Sequence, residues 1–291
     1  TWNCSDDRLT SDAESLAELA ANWVRYANHI VHEYAGKRVN HVKNERDRAI
    51  LESLKWANHD VLPERREDPL PKVKWWEIGN EPELDGFPNY IKNNTETVAK
   101  YVTKYTAVGK AMKAEDEEIN VGPCVVYPSA NKYLRAVLSA EDAPVDFIGY
   151  HPYNQDLRKA WASGDDMRLA DALRAVRDTL KRHYEAAAGL HPRAGELPQI
   201  ASEWNVSMTW YGDKTAHEMR RSSTHALGVA ESVFTFAKLG MAAATFWECP
   251  SHESAGMVFD KLTKHTGDVL VDSKDDGDGL RMYVTRDSDS D

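Results

Sequence analysis

Val73-Lys74-Trp75-Trp76-Glu77-Ile78-Gly79-Asn80-Glu81-Pro82-Glu83-Leu84 is a short apolar run bounded by Pro71 and Pro82. It reads as a buried strand from Val73 to Asn80, ending in an Asn-Glu pair that a proline follows at once. Downstream the pattern alternates. Helical spacing runs over Thr95–Lys113, Asn131–Ser139, Met167–Ala188 and Ala216–Leu239. Between those segments lie apolar strands at Ile119–Val126, Val145–Tyr150, Leu197–Glu203 and Met241–Trp247. Five strands separated by helices of about ten or more residues are parallel βα units, so the class is α/β.

Upstream, Ser11-x-x-Glu14 is a capping-box pattern ahead of Leu16, Leu19, Ala20, Trp23, Val24, Ala27, Ile30, Val31 and Tyr34. These recur at three- and four-residue steps, predicting one long helix that Gly36 stops. A charged stretch to Pro71 reads as a loop containing a helix over Ala49–Ala57. The tail differs in character. Asp268 to Asp291 holds eight Asp against three Lys or Arg, with short strands at Val269–Val271 and Leu280–Val284 around a Lys274–Gly279 turn. The expected division is residues 1–255 as one barrel-like domain and 256–291 as the start of a small β-rich appendage with an acidic end.

Composition limits the function. The 291 residues carry 47 Asp plus Glu against 36 Lys plus Arg, a net charge of −11. That balance argues against a nucleic-acid partner, which needs a basic phosphate-facing surface. No run approaches the ~20 apolar residues of a membrane span. Cys4, Cys124 and Cys249 are odd in number and far apart, fitting neither a disulfide framework nor a zinc site. Nine Trp and 12 Tyr suggest a surface that stacks on flat ligands. Thr1 to Cys4 is polar and shows no signal peptide, as a mature secreted chain also would, so the sequence assigns neither compartment nor oligomeric state. The chain lacks an initiator Met, which gives the expectation that it was processed or cut from something longer.

The strand ends carry the chemistry. In a parallel α/β barrel the C-terminal strand ends form the active-site face, so Glu81 is a candidate acid or base. A lone strand-end carboxylate is more often a solvated loop group. A second one, in Ser202-Glu203-Trp204-Asn205, closes another apolar strand. Two such Glu residues are what glycoside hydrolysis needs, one to protonate the leaving oxygen and one to attack the anomeric carbon.

With both motifs in view, the sequence resembles the clan A glycoside hydrolases, retaining (β/α)8 TIM barrels. Trp-Glu-Ile-Gly-Asn-Glu-Pro is similar to the clan's acid/base motif at the end of strand four. The resemblance gives that role to Glu81 and makes Asn80 its substrate-binding partner. Ser-Glu-Trp-Asn-Val-Ser is similar to the nucleophile motif ending strand seven, which falls on Glu203. This wording lies nearest the arabinofuranosidase family 51, whereas Asn-Glu-Pro and Gly149-Tyr150-His151-Pro152-Tyr153 lie nearer family 39, the β-xylosidases. The resemblance covers roughly Ala20 to Gly267. It implies that strands four to eight are present, that strands one to three are missing, and that the Ser11 helix follows strand three. It also implies that His151 and Tyr153 bind sugar or orient the nucleophile, with Trp204 and Trp247 at the substrate.

Other residues are weaker candidates. Asn205 and Trp210 are open between binding and packing, and Glu248 reads as a rim carboxylate. His217, Glu218 and His225 fail the metal-binding H-E-x-x-H spacing because Arg221 stands at the second ligand's place, so these histidines read as helix-surface residues and no metal is assigned. Asn93-Asn94-Thr95 and Asn205-Val206-Ser207 match a glycosylation acceptor pattern that is common by chance. Two functional expectations follow. The first is a retaining glycosidase cleaving terminal pentosides of oligo- or polysaccharides with two Glu residues and no cofactor. The second is a non-catalytic carbohydrate-binding or remnant protein, made incompetent by an incomplete barrel.

Overall fold

Helix α1 (Ala13–Arg25) begins where the Asp12 carboxylate accepts the Ser15 amide at 2.8 Å and the Ser15 hydroxyl at 3.0 Å. The computed structural model describes residues 12–34, 41–53, 71–84, 95–154, 156–163, 166–206, 214–247, 254–275 and 281–288. Ser11, the expected cap, lies outside these residues, and Asp12 fills the role. The long helix predicted up to Tyr34 is interrupted. Tyr26–Ile30 makes one π-helical turn before α2 (Val31–Glu33). Helix α3 (Glu45–Ser53) starts four residues ahead of the predicted Ala49.

Five strands lie in one sheet in chain order, β1-β2-β3-β4-β5, and β6 and β7 form a separate pair. Each strand thus sits beside its sequence neighbour, as in successive units of a (β/α)8 barrel. The described residues hold five parallel strands, the expected partial barrel. Contacts group the chain into two compact units, Thr1–Val125 with Asn131–Ile148, and Val126–Ala130 with Gly149–Asp291.

In the first unit, β1 (Trp75–Ile78) pairs in parallel with β2 (Asn120–Val125), Trp75 opposite Asn120 and Ile78 opposite Pro123. The crossover is α4 (Thr95–Glu115), and α5 (Lys132–Ser139) follows β2 with Asn131 as its cap, accepting the Leu134 amide at 2.9 Å. Leu16, Ala20 and Val24 of α1 are buried, as are Tyr105, Val108 and Met112 of α4, against which α1 packs. A polar clasp holds the same region. Asn28, buried in the π-helical turn, donates to Val73 O at 3.0 Å and Asp116 Oδ2 at 2.9 Å, and accepts the Val73 amide at 2.8 Å. Arg25 donates to Asp47 at 2.5 Å and to Glu115 at 3.0 Å. Burial works to raise the Asp116 pKa, but the Asn28 bond and the Glu118 amide hold it below the usual carboxylate range.

In the second unit, β3 (Ile148–Tyr150), whose first residue still belongs to the first, is followed by α6 (Asp156–Ser163) and α7 (Asp166–Ala188). Then come β4 (Gln199–Trp204), α8 (Lys214–Met219), α9 (Ser223–Leu239) and β5 (Ala243–Phe246). β4 and β5 pair in parallel, Ile200 opposite Ala243, with an irregularity between Ala201 and Trp204. Helix α10 (Ser254–His265) precedes an antiparallel pair, β6 (Val269–Asp275) and β7 (Arg281–Arg286). The sequence suggested neither α6 nor α10. The single helix predicted over Ala216–Leu239 is two. The break falls where the Ser222 hydroxyl donates to Met219 O at 2.6 Å and accepts the His225 amide at 3.2 Å, capping α9. Gly240, at φ 73, ends α9 in the left-handed conformation that glycine adopts without strain. Cys124 is buried, and Cys4 and Cys249 lie outside the described residues. Among the described residues, no helix is long and apolar enough to cross a membrane.

Gly122 of β2 is a point of close approach. A Cβ there would lie 2.5 Å from the Phe147 carbonyl oxygen and 2.8 Å from its ring. The oxygen is backbone and cannot swing aside. Gly122→Ala is therefore expected to destabilise the protein by about 1–3 kcal/mol, the range for overpacking. The midpoint of denaturant unfolding checks this, and an unchanged midpoint would show that the strands can part there.

Candidate active site

Two groups of expected site residues occupy strand ends, one in each unit. In the first, β1 is followed by Gly79 at φ 93, then Asn80 and Glu81. Glu81 has φ 48, a left-handed conformation that costs a residue with a long side chain about 1–3 kcal/mol. Hydrogen bonds hold the turn. The Glu81 amide donates to Cys124 O at 3.2 Å, and Leu84 N donates back to Glu81 O at 3.1 Å. Asn131 donates to Glu83 Oε1 at 2.7 Å, and the Tyr101 hydroxyl donates to Ile78 O at 2.9 Å. The Asn80 and Glu81 side chains are partly exposed.

In the second unit, Glu203 stands near the end of β4 with its side chain 20% exposed. The Tyr153 hydroxyl donates to its Oε1 at 2.5 Å. His151 Nδ1 lies 3.8 Å from its Oε2, from a fully buried ring. Both partners follow β3. His151 N donates to Val126 O at 3.1 Å and Tyr153 N to His151 O at 2.9 Å, a tight turn that brings Tyr153 back toward β4. The arrangement therefore holds one oxygen of Glu203 and orients the other toward His151.

The two tryptophans separate. Trp247, beyond β5, is 47% exposed, and its amide donates to Trp204 O at 2.9 Å. Trp204, expected at the substrate, is a core residue instead. It is 2% exposed, with Phe236 and Phe246 each edge-on at 5.0 Å between ring centroids. The irregularity between Ala201 and Trp204 accounts for this: both residues enter one core cluster, while Ser202 and Glu203 between them stay partly exposed. Trp210 and Glu248 lie outside the described residues.

His225 is a second correction. It was expected on a helix surface, as the exposed His217 is, yet it is fully buried. Its Nε2 lies 3.1 Å from Asn205 Oδ1 and its Nδ1 2.9 Å from the Ser254 hydroxyl. Asn205, itself buried, donates through Nδ2 to Trp247 O at 3.3 Å, and its carbonyl accepts the Asn154 amide at 3.4 Å. Burial, aided by the positive charge of Arg220, pushes the His225 pKa down to about 4. The ring is neutral at pH 7.

No protein-family model matches the sequence, and no curated protein does. Solved structures match in fold. The family 51 α-L-arabinofuranosidase AbfB from Bifidobacterium longum aligns at TM-score 0.57 and 15% identity, over 86% of this chain and 52% of its own. The α-L-arabinofuranosidase from Thermotoga maritima aligns at TM-score 0.50 and 15% identity, over 94% of this chain and 54% of its own. The chain spans about half the length of these structures. At such identity the likeness is one of fold.

The buried imidazole gives a pH dependence of known sign. The folded pKa, about 4, lies below the ordinary imidazole value of 6.5, so between these values the unfolded chain binds more protons. The contribution of His225 is complete above about pH 6.5 and is lost as the pH falls toward 4, about 3 kcal/mol in all. Thermal unfolding from pH 7 to 4 should show a steeper loss in the wild type than in His225→Gln. Parallel curves for the two proteins would show that His225 does not drive it.

Proposed function

We propose that the chain carries the catalytic carboxylates of a retaining glycosidase acting on terminal pentosides of plant-type polysaccharides, α-L-arabinofuranosides ahead of β-xylosides. The observation that carries this reading is the 2.5 Å hydrogen bond from Tyr153 to Glu203 at a strand end. It holds a carboxylate in one orientation, as a nucleophile requires. The left-handed backbone at Glu81 supports the second role, because strain of this kind persists where the surroundings over-determine it and clusters at functional sites. The fold shared with two arabinofuranosidases supports the substrate class.

In this mechanism a Glu203 oxygen forms a bond to the anomeric carbon as the glycosidic C–O bond breaks. Glu81 gives its proton to the departing oxygen. Glu81 then takes a proton from water, whose oxygen displaces Glu203 and releases the sugar. Asn80 and His151 bind the substrate and Tyr153 orients the nucleophile. The exposed ring of Trp247 offers an apolar face for sugar C–H groups. The core position of Trp204 leaves it a packing role. No cofactor takes part.

Turnover of aryl pentosides by the full chain tests the roles. Glu203→Ala should abolish activity, and azide should restore turnover with the opposite anomeric configuration. Glu81→Ala should spare substrates with good leaving groups, which need little protonation. Tyr153→Phe, losing a bond to a charged group worth about 1.5–3 kcal/mol, should lower kcat by about 10- to 100-fold. Sugar binding without turnover in the wild type, or equal losses on every substrate in both Glu variants, would overturn the proposal.

A further inference from the structure

A cavity of about 490 Å³ opens in the second unit, lined in part by four cations, Arg177, Lys181, Lys238 and Lys274, and by one carboxylate, Asp178. These cations come from three elements, α7, the last turn of α9, and β6. We propose that this cavity binds a small oligoanionic ligand, its anionic oxygens supplied by the carboxylates of an acidic sugar or by phosphate.

The charge count supports this. Arg177 and Lys181 sit at i and i+4 on α7 and share one face. Asp178 lies 3.4 Å from Arg177 and Glu185 3.7 Å from Lys181, with both Lys181 and Glu185 well exposed. Lys238 donates to a hydroxyl, Ser273 Oγ, at 2.7 Å. Glu231 is buried and takes the hydroxyl of the lining residue Tyr283 at 3.0 Å. Tyr283 stacks on Phe234 at 4.1 Å between centroids, which fixes one wall. Solvated surface charge is the competing account, and the favourable position of Lys238 at a helix C-terminus supports it for that residue. It does not explain why cations from α7 and β6 converge on the same hollow in a chain of net charge −11. The volume falls within the ~300–1,000 Å³ typical of small-ligand pockets, and clustered cations in a concave site raise the local concentration of anions.

Calorimetric titration at low salt with trigalacturonate, inorganic pyrophosphate and neutral xylotriose tests the proposal. At least one of the two anions should bind with Kd below about 1 mM. The double variant Lys238→Gln/Lys274→Gln should weaken that binding about tenfold or more, while Lys238→Arg/Lys274→Arg keeps it. Tighter binding of trigalacturonate assigns the site to acidic sugars, and tighter binding of pyrophosphate assigns it to phosphate. Both lysines are exposed, so the variant should unfold at the wild-type temperature. The proposal is overturned if neither anion binds, if xylotriose binds as tightly, or if the Gln variant binds unchanged. Glycosidase activity is read separately in the same variant, so failure here leaves the reading of Glu203 untouched.

Discussion

The Asn205 amide is the joint on which the geometry of the second unit turns. Its backbone carbonyl is tied to the segment after β3, its Nδ2 to the segment after β5, and its Oδ1 to the imidazole of α9. The amide can face only one way. Trp247 O accepts, so Nδ2 must point there, and Oδ1 is left for a ring nitrogen that carries a proton. A neutral ring protonated on Nε2 leaves Nδ1 an acceptor, and the single proton of the Ser254 hydroxyl is shared between Nδ1 at 2.9 Å and Arg220 O at 2.7 Å. The amide orientation and this tautomer together tie three strand ends to α9.

Glu203 lies two residues before that joint. The burial of Trp204 fixes which way the strand faces at this point, and Asn205 fixes where it ends. Tyr153 needs only a short reach to meet the carboxylate. The carboxylate is therefore held from both sides, by a hydroxyl in front and by the packed strand behind. The strand-end turn at Glu81 is built differently. There the backbone itself is unusual, and its hydrogen bonds to Cys124 and Leu84 oppose the strain.

The strands and most helices were legible because apolar periodicity is a local signal. Ile78, Val121, Ile148 and Ile200 fall in predicted strands, and Leu16, Ala20 and Val24 in a predicted helix. The break before Ser222 is faint in the sequence: Met219 and Ala226 keep a seven-residue helical step across it, and only the polar run Arg220-Arg221-Ser222-Ser223-Thr224-His225 marks it. Glu81, Glu203, His151, Tyr153 and Trp247 could be singled out from short motifs. His225 could not. Its partners are 20 and 29 residues away, and a lone histidine in a helical pattern reads as surface. Trp204 differs from its expected place because an aromatic next to a strand-end carboxylate looks like a ligand contact, and the irregularity that sends it into the core leaves no mark in the sequence.

The π-helical turn at Tyr26–Ile30 amounts to one extra residue in the helix. A residue inserted into an α-helix rotates everything after it by about 100°. Before the turn, Leu16, Ala20 and Val24 point into the packing with α4. After it, Ile30 and Tyr34 point into a separate cluster with Val42, Ile50 and Leu51 of the following segment. A straight helix with the same residues would keep a single stripe and serve one neighbour. The insertion lets one rod serve two in succession, and its offset places Asn28, the residue at the bend, where it can hold the lead-in to β1.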